Sequence, residues 1–350
     1  MNIVGLILCP RSFPRLFIFP LLLAVPLPGS AQQSRENQKS APEQLKFVRQ
    51  FSSAQDLKGP SHPILNKTLD ILAGPNEDQS SAPSALQEPY AVATDSMHRI
   101  FVTDRKGLVH VFDFVHGEYS HLEGGDHLRS PLGIATDAED NVYVSDAGLR
   151  TVLIYGPKGK FIRYLKKARG NESYFDTPRG IAVDPGSEHI YVCDATRHMV
   201  IMLDKQGRVL ATFGKRGGGA APGEFRFPTE VVARGDELLV LDSGNARIQI
   251  LDLRGHFRKE ITVFDVVHST GLAVDKDRKI YVSDPELNRL QVLNHDGQLL
   301  YTVGQTGSGV AEFNEISGIW FDSGHCLYVV DRKNKRVQLF NTGEPSADGC

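Results

Sequence analysis

Short apolar runs broken by clusters of Gly, Asp, Asn and Ser follow one another from about residue 89 to residue 341. One kind of run ends in aspartate: IFVTD (100–104), VYVSD (142–146), IYVCD (190–194), LLVLD (238–242), IYVSD (280–284) and LYVVD (327–331). Each is preceded by a second kind, YAVATD, GIATD, GIAVD, EVVAR, GLAVD or GIWFD, and followed by an alternating run such as RIQILD or RVQLFN. A fourth run often closes the unit, as in RVLATFG (208–214) and QLLYTVG (298–304). Runs of this length between turn residues predict strands, and four in sequence predict an antiparallel meander. Helical periodicity is nearly absent, which excludes a solenoid of helix pairs.

The aspartates recur at intervals of 42, 48, 48, 42 and 47 residues. Runs such as IYVSD and GIAVD are apolar on both faces, unlike a sheet with one wet face. A small sheet buried on both faces needs a neighbouring sheet on each side, and stacking around a ring supplies it. The expected fold is all-β: a six-bladed β-propeller of four-stranded antiparallel blades, the ring closed by an N-terminal strand. The sixth copy ends at RVQLFN (336–341) without a fourth run, while KTLDILAGP (67–75) stands alone near the N-terminus. KTLDILAGP is therefore expected beside RVQLFN, removing the open edge.

The pattern Pro-x-Gly-Ile-Ala-Val-Asp, Ile-Tyr-Val-x-Asp, Asn-x-Arg-Ile-Gln-Val resembles the NHL-repeat family of six-bladed β-propellers over about residues 85 to 341. The Gly-rich links GKRGGGAAPGEFRFP (214–228) and GQTGSGVAEF (304–313) are similar to the family's links between blades, and KFVRQFSSAQDL (46–57) resembles the leading segment of its secreted bacterial members. The resemblance implies a scaffold that hosts binding modules and a few enzymes. A family lyase acting on amidated-peptide precursors holds zinc partly through His just after a blade's opening Pro. Here those positions are Tyr90, Leu132, Arg179 and Thr229, with Thr270 and Ser317 in blades 5 and 6 and His268 two residues off. That zinc set is absent from the sequence.

The N-terminus differs in kind. Arg11 and Arg15 precede LFIFPLLLAVPL and then Gly29-Ser30-Ala31, the marks of a signal peptide over residues 1–31. The apolar run is short and broken by Pro20 and Pro26, so stable membrane insertion after cleavage is not expected. Residues 32–43 are polar and expected to be disordered, 44–341 form the propeller, and 342–350 are a tail. The expected location is secreted or periplasmic. Of the remaining cysteines, Cys193 reads as a small buried side chain. Cys326 and Cys350 are candidates for a bridge that closes a loop of about 25 residues, contributing about 3 kcal/mol.

Charge narrows the partners. The 350-residue chain carries 39 basic and 42 acidic side chains, a net charge of −3, which argues against nucleic acid. The six aspartates recur at one position and read as turn-holders accepting backbone N–H groups. Arg247, Arg289 and Arg336, each five residues after such an aspartate, read as scaffold. RGGGAAPG lacks the Lys-Ser/Thr and helix of a phosphate loop, and no Gly-x-Ser-x-Gly elbow supports a serine hydrolase. His116, His121 and His127 with Glu123 and Asp126 match no metal-ligand spacing; no metal or cofactor is expected.

A meander places the turns after second strands on one face with the links into first strands. That face collects the residues that differ among copies: Tyr90, Arg105, Lys106, Arg150, Arg179, Arg197, His198, Glu230, His268, Glu286, Arg332 and Lys333. Arg179, Arg197 and His198 are expected to converge near the channel mouth. Cations outnumber acids there, so the expected function is a secreted, monomeric, non-catalytic module binding a protein or anionic ligand. The alternative is a lactonase-like hydrolase or lyase with a metal-assisted site at the channel mouth, although no distinctive Glu/Asn/Asp cage stands out.

Overall fold

The computed structural model describes residues 45–58, 83–124, 128–165, 174–263, 268–322 and 325–342. Within them the first five copies each fold into one four-stranded antiparallel sheet whose strands are ordered as they occur in the chain, and the sixth supplies three strands of a sixth sheet. The inner strands are Pro89–Thr94, Pro131–Thr136, Pro178–Val183, Pro228–Arg234, Leu272–Val274 and Ile316–Phe321, in blades 1 to 6. Each packs against the inner strand of the next blade, and that of blade 6 packs against that of blade 1. The ring is closed, with six blades.

Burial follows this radial order. Every residue of the second strands is buried, from Ile100–Asp104 to Cys326–Asp331. The outer strands alternate instead, as in Phe257–Thr262. Second strands therefore read as continuous apolar runs because both faces meet another blade. Each buried Val, Ile, Leu or Phe contributes about 1.5–3 kcal/mol. Hydroxyls add specific links between blades: Thr103 Oγ1 accepts from Ala91 N–H and donates to the Leu132 carbonyl of the next blade at 3.1 Å.

The turn after each second strand repeats as closely as the strands. Asp104 accepts from the N–H groups of Gln87, Glu88 and Lys106; Asp146 from Arg129, Ser130 and Leu149; Asp194 from Asp176 and Thr177. Four residues beyond the aspartate the backbone turns left-handed at Arg150, His198, Ala246, Asn288 and Lys335, with φ between 51° and 59°. In blades 4 and 6 an arginine completes the unit. Arg247 Nε lies 2.9 Å from Asp242 and its fork donates to the carbonyls of Ala220 and Glu224. Arg336 does the same with Asp331 and the carbonyls of Ser308, Gly309 and Glu312. The Gly-rich links are thus strapped to the blade.

One expectation needs correction. The fourth strand of blade 6 is Lys46–Phe51, which pairs antiparallel with Arg336–Asn341, Phe51 opposite Val337. KTLDILAGP (67–75) lies outside the described residues, and the edge expected for it is taken. Phe51 gives the reason: it is 1% exposed and wedges between blades 6 and 1 among Phe112, Val337 and Leu339, its ring 4.8 Å from that of Phe112. Cys193 is free and buried, as expected. Cys326 is disulfide-bonded, and Cys350, the partner expected for it, lies outside the described residues.

Candidate functional site

The inner strands of blades 1 to 4 open at a proline, and the residue after it projects at one end of the ring. Tyr90 and Arg179 hold this position in blades 1 and 3, with Leu132 between them in blade 2. Arg179 Nη1 donates to Tyr90 Oη at 2.9 Å, so the bond reaches past the intervening blade across the channel. The Arg105 guanidinium lies 5.9 Å from the Tyr90 ring centroid. Arg332 bonds Glu315, and Lys333 Nζ is 3.1 Å from the same carboxylate. Burial first, and then the charge of Arg105, hold the Arg332 guanidinium below its usual pKa.

These groups line a mouth of about 1020 Å3. Its cations are Arg105, Arg179, Arg332 and Lys333; its carboxylates are Glu286 and Glu315, the latter already engaged. On the other side the wall is neutral, with Thr229, Ser243, Thr270 and Phe227, and His268 exposed at the rim. The Thr229 and Ser243 hydroxyls share a hydrogen bond of 2.5 Å, which leaves one proton for the Ser269 carbonyl within reach of both. The mouth can receive an anion on one side and an apolar or hydroxylated surface on the other.

The structure gathers Tyr90, Arg105, Arg179, His268, Glu286, Arg332 and Lys333 around the mouth, but separates Arg150, Arg197 and His198 from them. Arg150 and His198 stand at the repeated left-handed corner of the turn. Arg150 and Arg197 both bond Asp176, and the Arg197–Asp176 bond is 2.9 Å. Asp176 is held below the usual carboxylate range chiefly by Arg197. His198 Nδ1 accepts from Phe227 N–H at 3.0 Å, and its ring meets the Phe227 edge. The convergence expected of Arg179, Arg197 and His198 is therefore replaced by Arg179 with Arg105 and Arg332. Lys106 pairs with Glu88 at 2.8 Å.

Glu230 sits deeper than its place in the sequence suggests. It lines the channel below the mouth, enclosed by the ring yet still reached by channel solvent. Burial pushes its carboxyl up to about 8, opposed by the Val231 N–H and the Arg179 charge. Nothing in the sequence spacing marks Glu315 or Phe227 as part of the mouth. His116 pairs with Asp113 and His121 joins Tyr119 and the Pro83 carbonyl, while His127 and Asp126 lie outside the described residues. Among the described residues no group of three or more His, Cys, Asp or Glu side chains is placed to hold a metal.

Fold and mouth together define a six-bladed β-propeller with a basic channel opening. A family model described as a 6-bladed beta-propeller matches residues 267–344. NHL repeat-containing protein 3 of Mus musculus is 29% identical over 216 residues, 58% of this chain and 50% of that protein. Peptidylglycine alpha-amidating monooxygenase of Rattus norvegicus is 25% identical over 211 residues, 53% of this chain and 22% of that protein. The chain thus spans half or less of these relatives. Among solved structures, a streptogramin B lyase superposes with a TM-score of 0.56 at 13% identity, covering 73% of this chain and 94% of that one. A chain of a nidogen/laminin complex gives 0.53 at 19%, covering 63% and 81%. At such identities the structures share the fold. The chain is a six-bladed β-propeller, and its repeats are similar to those of an NHL repeat-containing protein.

Proposed function

We propose that this propeller is an exported, non-catalytic binding module that takes an anionic ligand or an acidic protein patch at its basic mouth. The observation that carries this reading is the gathering of Arg105, Arg179 and Arg332 around Tyr90 on a chain whose net charge is −3. Cations clustered against the overall charge focus a field at one opening and steer anions to it. The fold's occurrence in a nidogen/laminin complex supports a protein partner. The test is calorimetric titration with a Glu-rich peptide, in low and high salt. The wild type should bind, more weakly in high salt, and the triple variant Arg105→Ala, Arg179→Ala, Arg332→Ala should not. Equal binding by both proteins sinks the proposal.

A second reading, a metal-assisted hydrolase or lyase at the same mouth, draws on the fold shared with the streptogramin B lyase. Turnover that requires an added divalent metal would replace the binding reading with this one. Export itself rests on the N-terminal pattern of Arg11, Arg15 and the apolar run. N-terminal sequencing of the mature protein should begin near Gln32; an intact Met1 in a membrane fraction would show an anchor instead.

A further inference from the structure

Below the mouth the inner strands enclose a second chamber of about 360 Å3. Its walls are largely apolar, with Ala135, Val183, Val232, Val274 and Ile319 among them. Each inner strand is hydrogen-bonded on one side only, so its other edge faces the channel. Glu230 is the carboxyl group that the middle of the ring contributes to this chamber. Asp137 and Asp322 lie at its far opening, accepting from the hydroxyls of Tyr143 and Tyr328.

Register makes Glu230 singular. The third residue of the inner repeat is Ala91, Gly133, Gly180, Glu230, Gly271 and Gly318 in blades 1 to 6. A Cβ on Gly133 would lie 2.2 Å from the Arg179 carbonyl oxygen, and one on Gly271 would lie 2.3 Å from that of Ser317. Those blades have no room for a side chain. In blade 4 the Glu230 carboxyl instead fills the space left by Gly180, where a Cβ would stand 2.3 Å from Oε1. Its one hydrogen bond among the described residues comes from Val231 N–H at 3.1 Å. Arg179, beside Gly180 in sequence, has a buried Nε with no hydrogen-bond partner. A buried donor left unpaired costs about 1–3 kcal/mol, so the protein leaves the hydrogen-bonding capacity of both Arg179 and Glu230 incompletely used where mouth and chamber meet.

We propose that the chamber is a binding site for a small monocarboxylate with an apolar body, its head group held at the border with the mouth by the Arg179 guanidinium and the Glu230 carboxyl group and its body lying between the inner strands. The volume is at the small end of the range for ligand sites. The ligand carboxylate lies against the Arg179 charge and shares the Glu230 proton; no bond to carbon is made or broken. The position of the Glu230 carboxyl near 8 supports a protonated partner at neutral pH. The groups acting on it are Arg179 above and the buried Cys193 thiol on the adjoining second strand, while Arg234, Asp137 and Asp322 line the far opening. The proposal rests on the basic-mouth reading only in sharing Arg179.

The experiment is calorimetric titration of the full chain with acetate and with hexanoate at pH 6.5 and pH 9.5, in buffers of different ionisation enthalpy. Hexanoate should bind at least tenfold tighter than acetate. It should bind without proton uptake at pH 6.5 and with close to one proton taken up at pH 9.5, where affinity is at least tenfold lower. Glu230→Gln should abolish the uptake and the pH dependence while keeping hexanoate binding at pH 6.5. Equal affinity for the two acids, or uptake that persists in Glu230→Gln, overturns the proposal. The chain-length ratio and proton count on the wild type need no variant to fold. A Glu-rich peptide that binds while hexanoate does not would leave the mouth standing and remove the chamber; the reverse result would do the opposite.

Discussion

Arg247 and Arg336 carry the same guanidinium as Arg179 and Arg105, yet the two sets do different things. The first pair is 7% exposed, bonded to a buried aspartate and to carbonyls of the Gly-rich links. The second pair lines an open mouth, touching Tyr90 and leaving donors over. Position in the repeat makes the difference. An arginine five residues beyond the second-strand aspartate meets that aspartate each time and, in blades 4 and 6, the carbonyls of a Gly-rich link as well, whereas one just after the opening proline, or in the turn itself, meets whatever fills the channel.

The largest effect that would test this contrast is on the scaffold side. Arg336→Ala removes the Asp331 pair, three carbonyl bonds and the bond to Gln50 of the closing strand. Breaking a buried pair costs about 3–5 kcal/mol, measurable by urea denaturation. Arg336→Lys should recover little, because a point charge cannot match the fork. A loss under about 1 kcal/mol would erase the distinction between the two sets.

Glu230 probes the channel interior. Its folded pKa lies above its unfolded one, so the folded state keeps a proton that the unfolded state loses. Stability therefore falls as pH rises from about 4.5 to about 8 and stays low above. Glu230→Gln should be neutral at pH 4 and stabilising by on the order of 3 kcal/mol at pH 9. Parallel pH–stability curves for the two proteins would show the carboxyl to be fully hydrated.

Arg179→Ala should weaken Glu-rich peptide binding by roughly 1.5–3 kcal/mol, the range for hydrogen bonds to charged groups. Stability should shift by less, since no carbonyl strap is lost, and a large drop in melting temperature would move Arg179 into the scaffold set. Arg105→Ala is the smallest case. Its side chain is exposed over Tyr90, so about 0.5–1 kcal/mol of peptide affinity is expected. That loss should shrink at high salt; no salt dependence would point to packing rather than charge.

Local pattern alone determined most of the architecture. Six aspartate-ended runs set the number of blades, their two-sided apolar character placed them inside a ring, and the Asp and Arg spacings marked the turn and strap. These features are legible because each depends on neighbours within the same repeat. Which strand closes the ring was decided elsewhere. KTLDILAGP and KFVRQF can both serve as an outer strand, and only the wedge that Phe51 fills between blades 6 and 1 distinguishes them. The site was settled in the same way. Arg150 and His198 differ among copies as Arg105 does, but Asp176 holds Arg150 and the Phe227 N–H holds His198 away from the mouth. Glu230 occupies a position that four other blades give to glycine, and it lies in the channel because Gly180 of the preceding blade leaves room for it. Strand formation is a property of short segments. The closing partner and the radial depth of a side chain depend on residues tens to hundreds of positions away, which only the packed ring brings together.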